Sequence, residues 1–237
     1  MSCKVYLSPA YHRQNNCSIA GCFEALHNNL YLDELVRFLD ACGIEWKRGP
    51  RRTPMDEEDG TALMKQAVAE SNKWGADVHY VSHTNASSYG IGNGTARGCR
   101  PIYYKGSERG KKLGEIMVKY RKEVYPFPEK VILNERENLY ELRVPFAVSF
   151  YEEHVFHDNP EDAQWFHEHM EDVARSAAKG LCEWFGIEYK EPDKKEEPST
   201  TIYRVQVGAF RSKENAEVYL EKVQAAGFPN AYIKEGT

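Results

Sequence analysis

No run of about eighteen apolar residues occurs in this chain of 237, so nothing in it reads as a transmembrane helix. The amino-terminal MSCKVYLSPAYHRQNN turns polar after one short apolar stretch, too soon for the core of a signal peptide; synthesis in the cytoplasm without signal-dependent export is the expectation. An excess of positive charge is missing as well: 31 Lys and Arg face 36 Asp and Glu, a formal net charge of -5. Nucleic acids and anionic membranes are held largely by Lys and Arg that neutralise phosphates, so neither is an expected partner. The cysteines Cys3, Cys17, Cys22, Cys42, Cys99 and Cys182 contain no C-x-x-C pair and no tight spacing of a zinc knuckle or a small disulfide framework, and they read as reduced, mostly packing residues. There is no G-x-S-x-G elbow, and no cysteine stands at a strand-to-helix turn with a suitable histidine. IGNGTARG is rich in glycine but lacks the strand-then-helix context of a phosphate loop, and it reads as part of a rim loop.

What is present is an alternation of strands and helices, with 41% apolar residues to build a core. KVYLSP reads as a strand. CFEALHNNLYLDELVRFLDACG reads as an amphipathic helix with Leu26, Leu30, Leu35 and Leu39 on its apolar stripe and Gly43 at its end. IEWKR is a second strand, ALMKQAVAESNKWG a helix stopped by Gly75, and DVHYVSH a third strand ending at His83. RPIYYKG, SERGKKLGEIMVKYRKEV and RVPFAVSFYEE continue as strand, helix and strand, the last apolar enough through its middle to be buried on both faces. Asn159 and Pro160 then open a long helix that runs to about Phe185. The pattern predicts an α/β fold, a mostly parallel twisted sheet with helices on both faces, over residues 1–189. A charged, proline-containing linker follows at 190–200, and TIYRVQVGAF, SKENAEVYLEKVQAAG and AYIKE predict a small C-terminal βαβ unit at 201–237.

Ligands of open α/β sheets bind at the carboxyl ends of the strands. His12 after the first strand, His83 at the end of the third and Glu153 at the end of the last converge there, with Glu24 in the first turns of the first helix. Two histidines and a carboxylate suit a zinc site with a position left open for water, and a further glutamate can then move protons; the chemistry is metal-assisted hydrolysis of an amide. His154 and His157 form a rival pair, placed by the pattern in a loop. His167 and His169 are two apart on a helix and face different ways, and His27 and His79 read as structural.

VSHTNA resembles the S-[IL]-H-x-N-A motif of zinc-dependent N-acetylmuramoyl-L-alanine amidases of the amidase-3 type, and the resemblance runs from about Lys4 to Tyr189. KVYLSPAYH stands where that family has a strand ending in D-P-G-H, CFEALHNN where it has its metal-binding Glu, and RVPFAVSFYEEHVFHDNPED resembles its P-A-x-L-x-E-x-x-F-x-x-N-x-x-D segment. The first motif departs from the pattern, with Ser8 for Asp, Ala10 for Gly and Tyr11 inserted before the histidine. The resemblance implies His12, Glu24 and His83 as zinc ligands, Glu153 as the catalytic glutamate and Asn85 as part of the substrate site. Glu152 beside Glu153 leaves a register ambiguity that the distance to Asn159 resolves toward Glu153. The implied substrate is peptidoglycan, cut between N-acetylmuramic acid and L-alanine, as a phage endolysin or a mother-cell autolysin that reaches the wall after lysis. A zinc peptidase acting within the stem peptide and a non-catalytic wall-binding protein are the alternatives.

YRVQVGAF followed by SKENAEVYLEKVQAAGF resembles half of a SPOR module, a fold associated with glycan strands. Arg204 and Gln206, on one face of the expected strand, are the candidates for glycan contact, and pairing of two halves from two chains would give a homodimer.

Overall fold

Val, Tyr, Ile and Phe recur in the strand-forming runs, and most of these runs give way to a helix, so the chain folds as strand and helix layers. The computed structural model describes residues 3–12, 15–19, 22–51, 59–87, 94–193, 206–225 and 231–235. The chain divides into two compact units, Met1–Asp193 and Lys194–Thr237.

In the first unit, strands β1 (Lys4–Pro9), β2 (Glu45–Arg48), β3 (Val78–Asn85), β4 (Arg100–Tyr104), β5 (Asn134–Arg136) and β6 (Val148–Phe156) form one sheet in the order β2-β1-β3-β6-β4-β5. All neighbours pair in parallel except β4 and β6, which are antiparallel. Helices α1 (Glu24–Ala41), α3 (Glu108–Val124) and α6 (Met170–Phe185) bury a large apolar cluster against one face, including Val5, Leu7, Tyr80, Phe150, Leu113 and Leu181. The other face carries two smaller clusters, one with Leu63 and Ala67 of α2 (Gly60–Trp74) and one with Leu142 of α4 (Tyr140–Arg143).

Local chemistry explains where these elements begin and stop. The Asp59 carboxylate accepts from Thr61 N at 2.9 Å to start α2, and Gly75 ends it at φ +70°, a left-handed conformation that favours glycine. Ser107 Oγ caps α3 through Gly110 N at 3.0 Å. In α1 the buried stripe is Tyr31, Leu32, Leu35, Phe38 and Leu39, whereas the expected Leu30 is 36% exposed. Burying each such large side chain stabilises by about 1.5–3 kcal/mol relative to leaving it in water. The amino-terminal end of the same helix buries polar residues instead, namely Glu24, His27, Asn28 and Asn29.

Several elements differ from expectation. The long helix after Asn159 is two, α5 (Pro160–Glu168) and α6, because His169 leaves helical geometry and its Nδ1 bonds the Trp165 carbonyl at 2.9 Å while its ring stacks on Trp165. β3 continues through Asn85 and β6 through Phe156, so His83, Glu153 and His154 lie within strands and His154 is not in a loop. The two strands keep pairing past the expected ends by a register shift, in which His83 faces Glu153 but Asn85 faces Phe156.

In the second unit, α7 (Lys213–Ala225) is a helix, but residues 206–210 and 231–235 carry no regular strand, so the expected βαβ unit is not formed by its described residues. Phe210 packs on Tyr219 with ring centres 5.1 Å apart, and Gln224 Nε2 donates to Ala231 O at 3.0 Å.

Candidate metal centre at the sheet edge

The carboxyl ends of β1 and β3, central strands of the sheet, open beside the start of α1. His12, Glu24 and His83 meet there, one ligand atom from each lying within 4.8 Å of the others, with His12 exposed and the other two buried. A hairpin-like return carries the chain from β1 to Glu24: Asn16 bridges Phe23, and Glu24 N donates to Asn15 O at 2.7 Å. Glu24 opens α1, and its carboxylate accepts from Asn15 Nδ2 at 2.7 Å and from Thr84 N at 3.1 Å, while its Oε1 lies 2.9 Å from His83 Nδ1. Thr84 can give its N–H to Glu24 because the pairing of β3 with β6 is interrupted there: His154 and Val155 together oppose this one residue.

Electrostatics bind the group together. Burial opposes ionisation of Glu24, but His83, His12 and His157 outweigh it and bring the carboxyl down to about 2. Burial likewise opposes a charged His83, yet Glu24, with Glu153 and Glu141 behind it, holds the imidazole up to about 9. The rings of His12 and His83 are 5.6 Å apart at 65°. Two imidazoles on one tetrahedral ion, with metal–nitrogen distances of about 2 Å, have ring centres roughly 5 Å apart, so this arrangement and its N, N, O donor set fit zinc.

Glu153 sits directly across the ladder from His83. Tyr151, two residues earlier on the same face, stacks on His83 with ring centres 4.7 Å apart. Burial raises the Glu153 carboxyl, His83 opposes and Glu24 adds to the rise, leaving it at about 7; its Oε2 is buried without a hydrogen-bond partner. Glu152 points to the opposite face, where Arg121 meets it at 2.9 Å and Tyr80 OH donates to it at 2.5 Å.

The rival pair of histidines does not converge. His154 Nε2 lies 2.9 Å from Ser82 Oγ with its ring on Phe166, whereas His157 Nδ1 lies 2.9 Å from Thr84 Oγ1. Burial, with Arg121 and His83 nearby, pushes His154 well below the ordinary imidazole range.

The altered first motif has its own packing. Ser8 Oγ donates to Glu141 Oε1 at 2.5 Å and lies 3.4 Å from the Tyr11 hydroxyl, and His79 Nε2 approaches the same Glu141 oxygen at 3.3 Å while its ring stacks on Tyr6. Glu141 is a buried carboxylate behind the site that sequence reasoning did not single out. Its YELR setting on a four-residue helix gave no periodic signal.

Asn85 turns the end of β3, its Oδ1 accepting from Ala86 N at 2.8 Å. Of the rim loop, Ser87 and Gly94 are both tied to Asp158: Ser87 N and Oγ each donate to its carboxylate at 2.9 Å, and Gly94 N donates to its carbonyl at 2.9 Å. A Cβ on Gly94 would lie 2.4 Å from the Asp158 carboxyl carbon, so this close approach requires glycine. The loop between them, residues 88–93, lies outside the described residues, as does Arg204. Gln206 is exposed, with Nε2 donating to Gly208 O at 3.2 Å.

A mostly parallel sheet that brings two histidines and a carboxylate to one edge is here the fold of the N-acetylmuramoyl-L-alanine amidases. The amidase of that name from Clostridium difficile 630 superposes with TM-score 0.64 at 18% identity, covering 78% of this chain and 97% of that one. The catalytic domain of the CD27L endolysin targeting Clostridia Difficile does so with TM-score 0.62 at 19% identity, covering 76% of this chain and 97% of its own. In sequence, the chain is 28% identical over 177 residues to the N-acetylmuramoyl-L-alanine amidase CwlM of Bacillus licheniformis, over 72% of this chain and 62% of that protein. The aligned region thus spans less than two thirds of that relative's length. Residues 186–237 match the SPOR domain.

Proposed function

We propose that this chain hydrolyses the amide between N-acetylmuramic acid and L-alanine of the peptidoglycan stem peptide, with zinc held by His12, Glu24 and His83. The observation that carries this reading is their convergence beside Glu153, a buried carboxylate directly across the ladder from His83. When bound there, the ion supplies a Lewis acid that polarises the scissile carbonyl and makes water nucleophilic near neutral pH. Glu153, across the ladder from His83, takes the proton from the attacking water and returns it to the leaving amine. Asn15 and Thr84 fix the orientation of Glu24, and Tyr151 supports the ring of His83. Asn85, at the end of β3, borders the path of the substrate.

The second unit targets the wall, a role supported by its SPOR match. Val207, Phe210, Val218 and Tyr232 are 60%, 46%, 51% and 66% exposed, apolar surface that pairing of two tails would cover in a homodimer. The test is digestion of purified peptidoglycan with and without a chelator, reading new L-alanine amino termini and fragment masses. Release that stops with chelation and returns with zinc is expected. Cleavage within the stem peptide, or wall binding with no release at all, would overturn the assignment.

A further inference from the structure

Cys17, Cys22 and His27 also present one ligand atom each within 4.8 Å of one another, in a cluster that shares no residue with the site above. The loop builds it locally. Cys17 N donates to Cys22 O at 3.1 Å and Cys22 N to Ile19 O at 3.2 Å, closing a tight return, and the first turn of α1 then brings His27 alongside, its N donating to Phe23 O at 3.2 Å. The spacing C-x4-C-x4-H lies within the range that cysteine pairs use around zinc.

A second, independent observation points to a ligand. His27 is 1% exposed, and apart from the Cys22 thiol beside it its ring nitrogens have no hydrogen-bond partner among the described residues. A buried imidazole must donate through at least one nitrogen, and leaving such a group unmet costs about 1–3 kcal/mol, so native structures rarely keep one without a reason. The cysteines are free thiols, with Cys17 2% exposed. His167, on the exposed side of α5, lies next to His27 with ring centres 5.4 Å apart, close to the roughly 5 Å of two imidazoles that share a tetrahedral ion.

We propose that Cys17, Cys22 and His27 form a second metal site for a thiolate-seeking divalent ion such as zinc, with His167 able to close the fourth position. Its role is structural. Cys17 and Cys22 precede Glu24 and His27 follows it, so one ion would clamp the chain on both sides of the carboxylate that serves the other site. Both thiols lose their protons to solvent as the ion binds.

The experiment uses the full chain, purified under reducing conditions and loaded with zinc, then separately with cobalt. Native mass spectrometry and elemental analysis are expected to find two ions per chain. Cobalt is expected to give thiolate-to-metal charge-transfer absorption in the near ultraviolet, which the other site, having no thiolate, cannot produce. Cys17→Ser with Cys22→Ser should abolish that absorption and one ion; Glu24→Gln should remove the other ion and keep the absorption. The double variant should also bind its remaining ion about 10-fold more weakly, as the loss of supporting contacts generally does. Wild-type chain with one ion and no charge-transfer absorption would overturn the proposal, as would a mass lower by two hydrogens, which marks a Cys17–Cys22 disulfide. Loss of amidase activity with the absorption intact would instead count against the amidase reading alone.

Discussion

Glu152, on the face of β6 that α1 and α3 cover, is met by Arg121 and by the Tyr80 hydroxyl, whereas Glu153, one residue later on the opposite face, keeps a buried oxygen with no partner. The first carboxylate is matched by a cation and a hydroxyl. The second is pushed toward its neutral form by burial and by Glu24, and comes to rest at about 7. Identical side chains thus meet different partners because strand alternation sends them into different surroundings. The cation and hydroxyl compensate the burial of one, whereas incomplete pairing lets burial raise the carboxyl of the other.

The sharpest way to break this comparison is to neutralise each carboxylate in turn. Glu153→Gln is expected to lower kcat on peptidoglycan by about 100- to 10,000-fold, the range of general acid–base catalysis, with metal content unchanged. Full activity in that variant would remove Glu153 from the mechanism. On the other face, Arg121→Ala is expected to cost about 3–5 kcal/mol in denaturant unfolding, because it strands the buried Glu152 charge. Activity per folded molecule should be kept, so a variant that unfolds normally but is catalytically dead would erase the distinction between the faces.

A smaller effect links the site face to pH. The folded-state carboxyl of Glu153 is raised from 4.5 to about 7 in the metal-free chain. Folding therefore favours its protonated form, and stability falls as pH rises from about 4.5 through 7. Glu153→Gln removes that penalty and should stabilise the metal-free protein by about 1–3 kcal/mol at pH 8 while changing little at pH 4.5. Equal unfolding midpoints for the two proteins at both pH values would show that Glu153 is not held in a disfavoured state.

The smallest signal is in protons. His83, raised to about 9 by Glu24 in spite of its burial, enters metal binding protonated at pH 7.5 and must lose that proton. Calorimetry of zinc binding to the Cys17→Ser and Cys22→Ser double variant, in buffers of different ionisation enthalpy, should report about one proton released per ion. A value near zero would place His83 outside the ligand set.

Much of the molecule was legible from the chain. Period, caps and the stopping glycines revealed α1, α2, α3 and every strand of the first unit except β5, though not α4 or the division of α5 from α6, and the motif around His83 pointed to the edge where His12, Glu24 and His83 meet. Less legible were the features set by contacts across the sequence. The break at His169 depends on its bond to Trp165, and the continuation of β3 and β6 depends on each strand finding the other. Glu141 was missed because its environment, Ser8 and His79, comes from two distant strands. The three-residue set Cys17, Cys22 and His27 stood in plain spacing, but only a closed loop shows that the thiols and the imidazole share one point.

The order of elements, the residue types at the sheet edge and the separation of a charged linker from the first unit belong to the sequence itself, because they follow from periodicity and local backbone preference. Which carboxylate is paired, which histidine carries a proton and which donors converge on one position were decided by tertiary structure. Those properties depend on distance and on exclusion of water between groups as far apart in the chain as Glu24 and His83. Neither exists until the sheet has brought them together.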